Sequence, residues 1–170
     1  MTLTPRIYVR CLAAYNNGIL HGDWIDASLG KEFIEERIKE ILAKSPEPHA
    51  EEWAIHDYEG FGSTHLSENP SLQTLAEIAE FIGEHGELGA EVYAYSSSLA
   101  HAQEMMESYH GEFKSKADYA YQYFNDCYDL EKIPSALSCH IDWDGVGRDL
   151  FICDFVSIEI DGSVHVFDQF

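Results

Sequence analysis

Apolar positions along this chain alternate between a spacing of two and a spacing near 3.6, and each change of spacing marks a change of element. Residues 6–12 are rich in β-formers, Asn16-Asn17-Gly18 is a turn signal, and residues 20–26 return as a second strand, which predicts a hairpin. Ser28 and Gly30 precede a helix over about 31–44, with Phe33, Ile34, Ile38, Ile41 and Leu42 along one face. Ser45-Pro46-Glu47-Pro48 ends it, because proline cannot continue a helix. Residues 52–58 read as a third strand, and 60–71 as loop.

From Asn69-Pro70 the spacing turns helical. Asn69 suits a cap, Pro70 suits the first helical position, and Leu72, Leu75, Ile78, Ala79 and Ile82 recur at helical intervals. Gly83, Gly86 and Gly89 interrupt this stretch before a shorter helix near 90–95. Ser98 suits the cap of a helix over 99–109, and Ser115-Lys116-Ala117-Asp118 reads as a capping box for one running to about 126. A helical segment is expected from Pro134 through Trp143 towards Leu150. Residues 155–160, Asp161-Gly162 and 163–167 form a strong hairpin signal. The expected fold class is α+β, in three modules: an N-terminal hairpin, helix and strand unit over 1–60, an acidic helical middle over 61–110, and a helical module with a terminal hairpin over 111–170.

Charge changes this picture from a fold to a surface. Between Lys44 and Lys114 there is no lysine or arginine, yet residues 45–113 carry fourteen carboxylates. The last twenty-two residues add Asp149, Asp154, Glu159, Asp161 and Asp168, again without lysine or arginine. Neighbouring opposite charges normally relieve self-repulsion, so a stretch that forgoes them projects a strong negative field. A net charge of −21 opposes direct binding to nucleic acid or to an anionic membrane.

Composition bounds the rest. With 45% hydrophobic and 13% aromatic residues, the 170-residue chain is expected to fold rather than to behave as an acidic disordered tail. No apolar run approaches the roughly 20 residues of a membrane span, and MTLTPRIYVR lacks the apolar core of a signal peptide. Cys11, Cys127, Cys139 and Cys153 form no CxxC pair and read as reduced, mostly buried thiols. These features describe a cytoplasmic protein.

The sequence offers no enzyme. Asp142-x-Asp144-Gly145 opens like a calcium loop, but Val146 and Cys153 stand where an EF-hand needs Asp or Asn and Glu. His56-Asp57, with His49 and His65 nearby, has no HExxH spacing, and His56 reads as a half-buried strand histidine. No GxSxG, Walker or dinucleotide fingerprint is present, and no carboxylate pair stands out as acid and base. No metal and no cofactor are expected.

The acidic helix faces are more informative. If residues 77–91 stay nearly continuous, Glu77, Glu80, Glu84, Glu87 and Glu91 fall at 3,4,3,4 spacing on one face. Successive carboxylates would then lie roughly 5 Å apart, from a rise of about 1.5 Å per residue, against about 3.4 Å between phosphates of one DNA strand. Further on, Tyr119, Tyr121, Tyr123, Phe124 and Tyr128 fall at odd and even positions, so one helix face cannot bury them all. Either the terminal hairpin covers them or a partner does, since tyrosine is favoured at interfaces.

The segments Ile7-Tyr8-Val9, Cys11-Leu12-Ala13-Ala14-Tyr15-Asn16-Asn17-Gly18 and Gly22-x-Trp24-Ile25-Asp26 resemble the start of ArdA-type antirestriction proteins. Glu52-x-Ala54-Ile55-His56-Asp57-Tyr58-Glu59 resembles a second landmark of that family. Asp126-Cys127-Tyr128 through Ile133-Pro134, and Gly147-Arg148-Asp149-Leu150, resemble a third and fourth. The resemblance spans nearly the whole chain in the right order.

It implies an elongated, three-module, dimeric DNA mimic, encoded by mobile elements, that occupies the DNA channel of type I restriction–modification enzymes. The landmark residues are expected to hold the fold, with Trp24 in a core. The candidate mimic surface comprises Glu68, Glu77, Glu80, Glu84, Glu87, Glu91, Glu104, Glu107, Glu112, Asp118, Asp126 and Asp129, and the candidate dimer interface comprises Tyr119, Tyr121, Tyr123, Phe124 and Tyr128. The alternatives are an acidic enzyme of unknown chemistry and a calcium- or metal-binding protein.

Overall fold

The computed structural model describes residues 3–169. Helices and small antiparallel sheets make an α+β chain with two compact units, the first ending at Ala102 and the second starting at Gln103. Among the described residues, no helix is long and apolar enough to cross a membrane.

In the first unit, β1 (Arg6–Cys11) lies between β2 (Gly22–Asp26) and β3 (Trp53–Glu59), antiparallel to both. Its alternation sets the two faces of the sheet. Ile7, Val9 and Cys11 are fully buried, while Arg6, Tyr8 and Arg10 are half-buried on the opposite face. The apolar stripe of α2 (Lys31–Ala43), with Ile34, Ile38 and Ile41 buried, packs against β1 and β2. The expected tight hairpin is replaced by a helical turn, α1 (Leu12–Asn16), after which Gly18 at φ +75° turns the chain.

Helix α3 (Leu72–Ser96) joins this unit by packing on the 27–29 turn and on α2, with Leu75, Ile78, Ala79, Phe81 and Ile82 buried. Its cap is Ser71, not Asn69: the Ser71 hydroxyl accepts from the Thr74 N–H at 3.4 Å, which leaves Pro70 outside the helix. Of the three glycines expected to break the helix, Gly86 does so. Its φ of 64° and ψ of −144° belong to a region open essentially to glycine alone, and they kink α3.

Helix α4 (Leu99–Glu107) crosses the boundary between the units. It stops before Tyr109, where the sequence pattern continued it, and β4 (Tyr109–Phe113) pairs instead with β6 (Ser163–Asp168) in a sheet of order β4-β6-β5. The terminal hairpin of β5 (Phe155–Ile160) and β6 is as expected, with Asp161 and Gly162 at φ 50° and 83° as a type I′ turn demands. Helix α5 (Lys116–Cys127) starts at Ser115, whose hydroxyl accepts from the Asp118 N–H at 3.0 Å. The single helical segment expected from Pro134 is two, α6 (Ser135–Ser138) and α7 (Trp143–Cys153). The Asp142 carboxylate forces the restart by accepting from the Gly145 N–H at 3.0 Å. The core here gathers Tyr119, Phe155, Val164 and Val166, flanked by Phe113, Tyr123, Leu150 and Phe151.

The thiols depart from expectation. Cys11 is buried, but Cys127, Cys139 and Cys153 are exposed free cysteines. They sit at the ends of short helices, whose small apolar faces run out before reaching them.

Candidate acidic interaction surface

The candidate carboxylates come from six different local settings. Glu68 belongs to the loop before α3; Glu77, Glu80, Glu84, Glu87 and Glu91 to α3; Glu104 and Glu107 to α4; Glu112 to β4; Asp118 and Asp126 to α5; and Asp129 to the turn after it. All are exposed except Glu91, which is half-buried. On α3 the cause is plain: Leu75, Ile78, Ala79 and Ile82 take the face towards α2, so Glu77, Glu80 and Glu84 take the face towards water.

The kink at Gly86 divides the α3 series. Glu77, Glu80 and Glu84 stand on the first straight stretch, while Glu87 and Glu91 stand beyond the kink, so the five do not form one straight ladder. Glu91 is also committed elsewhere. Its carboxylate accepts from the Ser63 N–H at 3.1 Å and from the Ser63 hydroxyl at 2.8 Å, tying the 60–64 loop to α3. Glu77 accepts from the Gln73 amide at 2.7 Å, one turn earlier, and Asp126 from Gln122 at 2.9 and 3.0 Å. These bonds fix carboxylate positions without removing charge.

Six of the ten lysines and arginines form ion pairs, most of them with acids close by in the chain. Arg37 pairs with Asp23 at 2.8 Å and with Glu40, Lys31 with Glu35 at 3.7 Å, and Lys44 with Glu40 at 3.9 Å. Lys132 pairs with Asp129 at 3.0 Å, which makes Asp129 a neutralised member of the candidate set. Of the fourteen carboxylates in 45–113, Glu59 alone has a lysine or arginine partner among the described residues, Arg6 at 3.2 Å. The others have no such partner and, apart from the half-buried Glu47 and Glu91, face solvent, where each acts through a screened field reaching about 8–10 Å.

The aromatic residues separate into two groups. Tyr119 is 3% exposed and lies 4.9 Å from the rings of both Phe113 and Phe155, inside its own unit. Burial pushes its hydroxyl pKa well above the usual tyrosine value, as it does, less strongly and with help from Glu112, for Tyr109. Tyr123 is half-buried against Phe155 at 5.4 Å. The terminal hairpin therefore covers these two, and Tyr119 has almost no surface to offer a partner. Tyr121 and Tyr128 are 48% and 64% exposed. Tyr121 meets Trp143 edge-on at 5.3 Å, and Phe124 stacks on Tyr128 at 5.8 Å. A groove lined by Tyr121, Leu130, Ile133, Ile141 and Trp143 runs beside them.

Residues weighed for other chemistry have structural employment. Asp142, the first residue of the calcium-like run, caps α7. His56 is exposed rather than half-buried, because a bulge in the β1–β3 pairing places it opposite no β1 residue, and its ring meets Tyr15 at 4.8 Å. Among the described residues, no three His, Cys, Asp or Glu side chains are grouped to hold a metal ion.

One cluster escaped the sequence reading. Trp24 is not in a core: it lies half-buried on the open face of the first sheet, 5.4 Å from Tyr8, with the Arg6 guanidinium 5.4 Å above its ring. Arg10 lies over both Tyr8 at 5.5 Å and Tyr15 at 5.4 Å. The signal was available in the alternation of Arg6-x-Tyr8-x-Arg10 against Ile7-x-Val9-x-Cys11.

A comparison with curated proteins gives no match. The sequence model of the antirestriction protein family ArdA matches residues 7–164. That span runs from β1 to the start of β6 and takes in the acidic faces of α3 and α4 and the aromatic groove, so the chain belongs to the ArdA antirestriction protein family.

Proposed function

We propose that this protein is a double-stranded DNA mimic that occupies the DNA-binding channel of a type I restriction–modification enzyme and thereby inhibits it. One observation carries the reading: the carboxylates of α3, α4 and β4 have no lysine or arginine partner among the described residues and, Glu91 apart, are exposed, while six of the ten lysines and arginines pair with acids elsewhere in the chain. A DNA channel is lined with Lys and Arg that exchange counterions for phosphates, and a folded surface of unpaired carboxylates offers the same exchange. Such a surface is neither a phosphodiester to cleave nor a base to methylate. Inhibition by it is independent of the enzyme's recognition sequence, because backbone charge and not base edges is copied.

The active species is a homodimer acting in the cytoplasm, and the gene is carried by a mobile element whose incoming DNA it protects. Modules 1–60, 61–110 and 111–170 carry the sheet, the acidic helices and the aromatic interface respectively. Two chains would carry about 42 net negative charges, which at roughly 1.7 Å per charge corresponds to about 70 Å of duplex. The exposed Tyr121 and Tyr128, with the half-buried Phe124, beside the Trp143 groove suit the dimer contact.

The test is cleavage of unmodified DNA by a purified type I enzyme with and without this protein. Loss of cleavage near one dimer per enzyme supports the proposal, and full cleavage at excess protein rejects it. A gel shift of duplex DNA by the protein itself at physiological salt would also count against it, since like charges repel.

A further inference from the structure

A mimic that displayed only carboxylates would bind any protein with a basic channel, so choice of target requires something other than negative charge. The open face of the first sheet supplies it. Arg10 is held between the rings of Tyr8 and Tyr15, and no hydrogen bond or ion pair to its guanidinium is found among the described residues, although the chain carries 31 carboxylates. Its Nε is buried and has no hydrogen-bond partner. An Nε–H so placed has lost water without gaining an acceptor, and the half-buried guanidinium that carries it has no carboxylate bound to it.

The surroundings describe what that something is. Trp24 and Tyr8 already carry Arg6 and Arg10 over their rings, so these faces are closed to a stacking nucleobase. Beside them the 12–20 segment exposes Tyr15 at 47%, Ile19 at 38% and Leu20 at 77%. Arginine and tyrosine next to exposed aliphatic side chains, in a chain otherwise coated with acid, have the composition of a protein-binding patch and not of a nucleic-acid-binding one.

Building on the reading of the protein as an inhibitor of a type I enzyme, we infer that the Arg10–Tyr15–Leu20 surface is a second docking site. It grips a protein segment of the target enzyme that presents a carboxylate beside apolar side chains, outside the DNA channel. The Arg10 guanidinium takes the carboxylate, with Tyr8 and Tyr15 holding it in place, and Ile19 and Leu20 take the apolar neighbours. The acidic surface then supplies charge attraction, and this patch supplies choice of partner.

The charge change in Arg10→Glu makes the test sharp. The substitution renders the chain two charges more negative, so a mimic acting through its acidic field alone binds a type I enzyme equally well or more tightly. A docking site at Arg10 predicts the opposite sign. Affinity of purified enzyme for the wild type, Arg10→Glu and Leu20→Asp is measured by surface plasmon resonance, with retention on immobilised polylysine as the readout of the acidic field and circular dichroism as the check on folding. The expected result is a tenfold or greater loss of enzyme affinity in both variants with undiminished retention on polylysine. Leu20, being 77% exposed, can change without disturbing a core, so it keeps the test alive should Arg10→Glu unfold. Wild-type affinity in the folded variants overturns the docking site and leaves the mimic intact. Equal losses on enzyme and polylysine also overturn it. A wild type that binds no type I enzyme overturns the mimic and this inference with it.

Discussion

The Glu91 carboxylate accepts from both the backbone N–H and the hydroxyl of Ser63, at 3.1 and 2.8 Å, so one acid of the α3 series is a fastener for the loop before that helix. Gly62 makes this possible by close approach, since a Cβ there would sit 2.6 Å from the Glu91 Oε1 and 2.9 Å from the Ala90 Cβ. Glu91→Ala is expected to lower stability by about 1 kcal/mol, the usual worth of a hydrogen-bonded pair at a surface. Glu80→Gln, on the exposed part of the same helix, is expected to change it by less than about 0.5 kcal/mol. Urea unfolding of the two variants checks this, and equal effects would show that Glu91 is an ordinary member of the acidic face.

Tyr119 ties the second unit to alkaline pH. Burial raises its hydroxyl pKa, so the folded state favours the neutral phenol. The resulting stability is complete below the ordinary tyrosine pKa near 10 and is lost as pH climbs above it, at a slope of at most about 1.4 kcal/mol per pH unit for this group. Tyr109 acts in the same direction. Tyr119→Phe keeps the ring in place and is expected to flatten the fall in melting temperature between pH 10 and pH 11.5 (roughly the window above the unfolded pKa). An unchanged slope would exclude Tyr119 as the source.

The dimer contact is expected to involve the surface aromatics and not the buried one. Light scattering at micromolar concentration is expected to give twice the 19.3 kDa chain mass. Combined Tyr121→Ser and Tyr128→Ser is expected to return the mass to one chain with an unchanged circular dichroism spectrum. These side chains are 48% and 64% exposed, so folding does not depend on burying them within the chain. A wild type that scatters as a monomer would refute the dimer.

Much of the fold was legible in the sequence because the signals were local. The Asp161-Gly162 turn, the Ser115 cap and the β-rich run over residues 6–12 each act within a few residues, and each stands where the pattern put it. Strand β4 was not legible. Tyr-His-Gly-Glu-Phe has a central glycine and no apolar alternation, and it becomes a strand only because β6, more than fifty residues later, offers a free edge. The long helix expected after Pro134 failed because an Asp142 cap inside a helical pattern looks like any other polar residue. For the surface, composition announced the charge, but only coordinates separate Glu80 in solvent from Glu91 on Ser63 or Asp129 beside Lys132. Alternation along β1 puts Tyr8 and Arg10 on one face, but Tyr15 joins them from α1, which no pattern along one strand shows.

Inhibition is proposed to come from a distributed field of carboxylates. Its most direct test compares Glu80→Gln and Glu107→Gln, made singly, with a variant in which Glu77, Glu80, Glu84, Glu87, Glu104 and Glu107 are all glutamine. The quantity measured is the affinity for a type I enzyme as a function of salt. Each single change is expected to leave affinity within about twofold, because one screened contact among many is lost. The combined variant is expected to stay folded, since relieving like-charge repulsion favours helices, yet to bind more weakly and with a shallower dependence on salt. Abolition of binding by one of the single substitutions, with fold and dimer intact, would contradict the account.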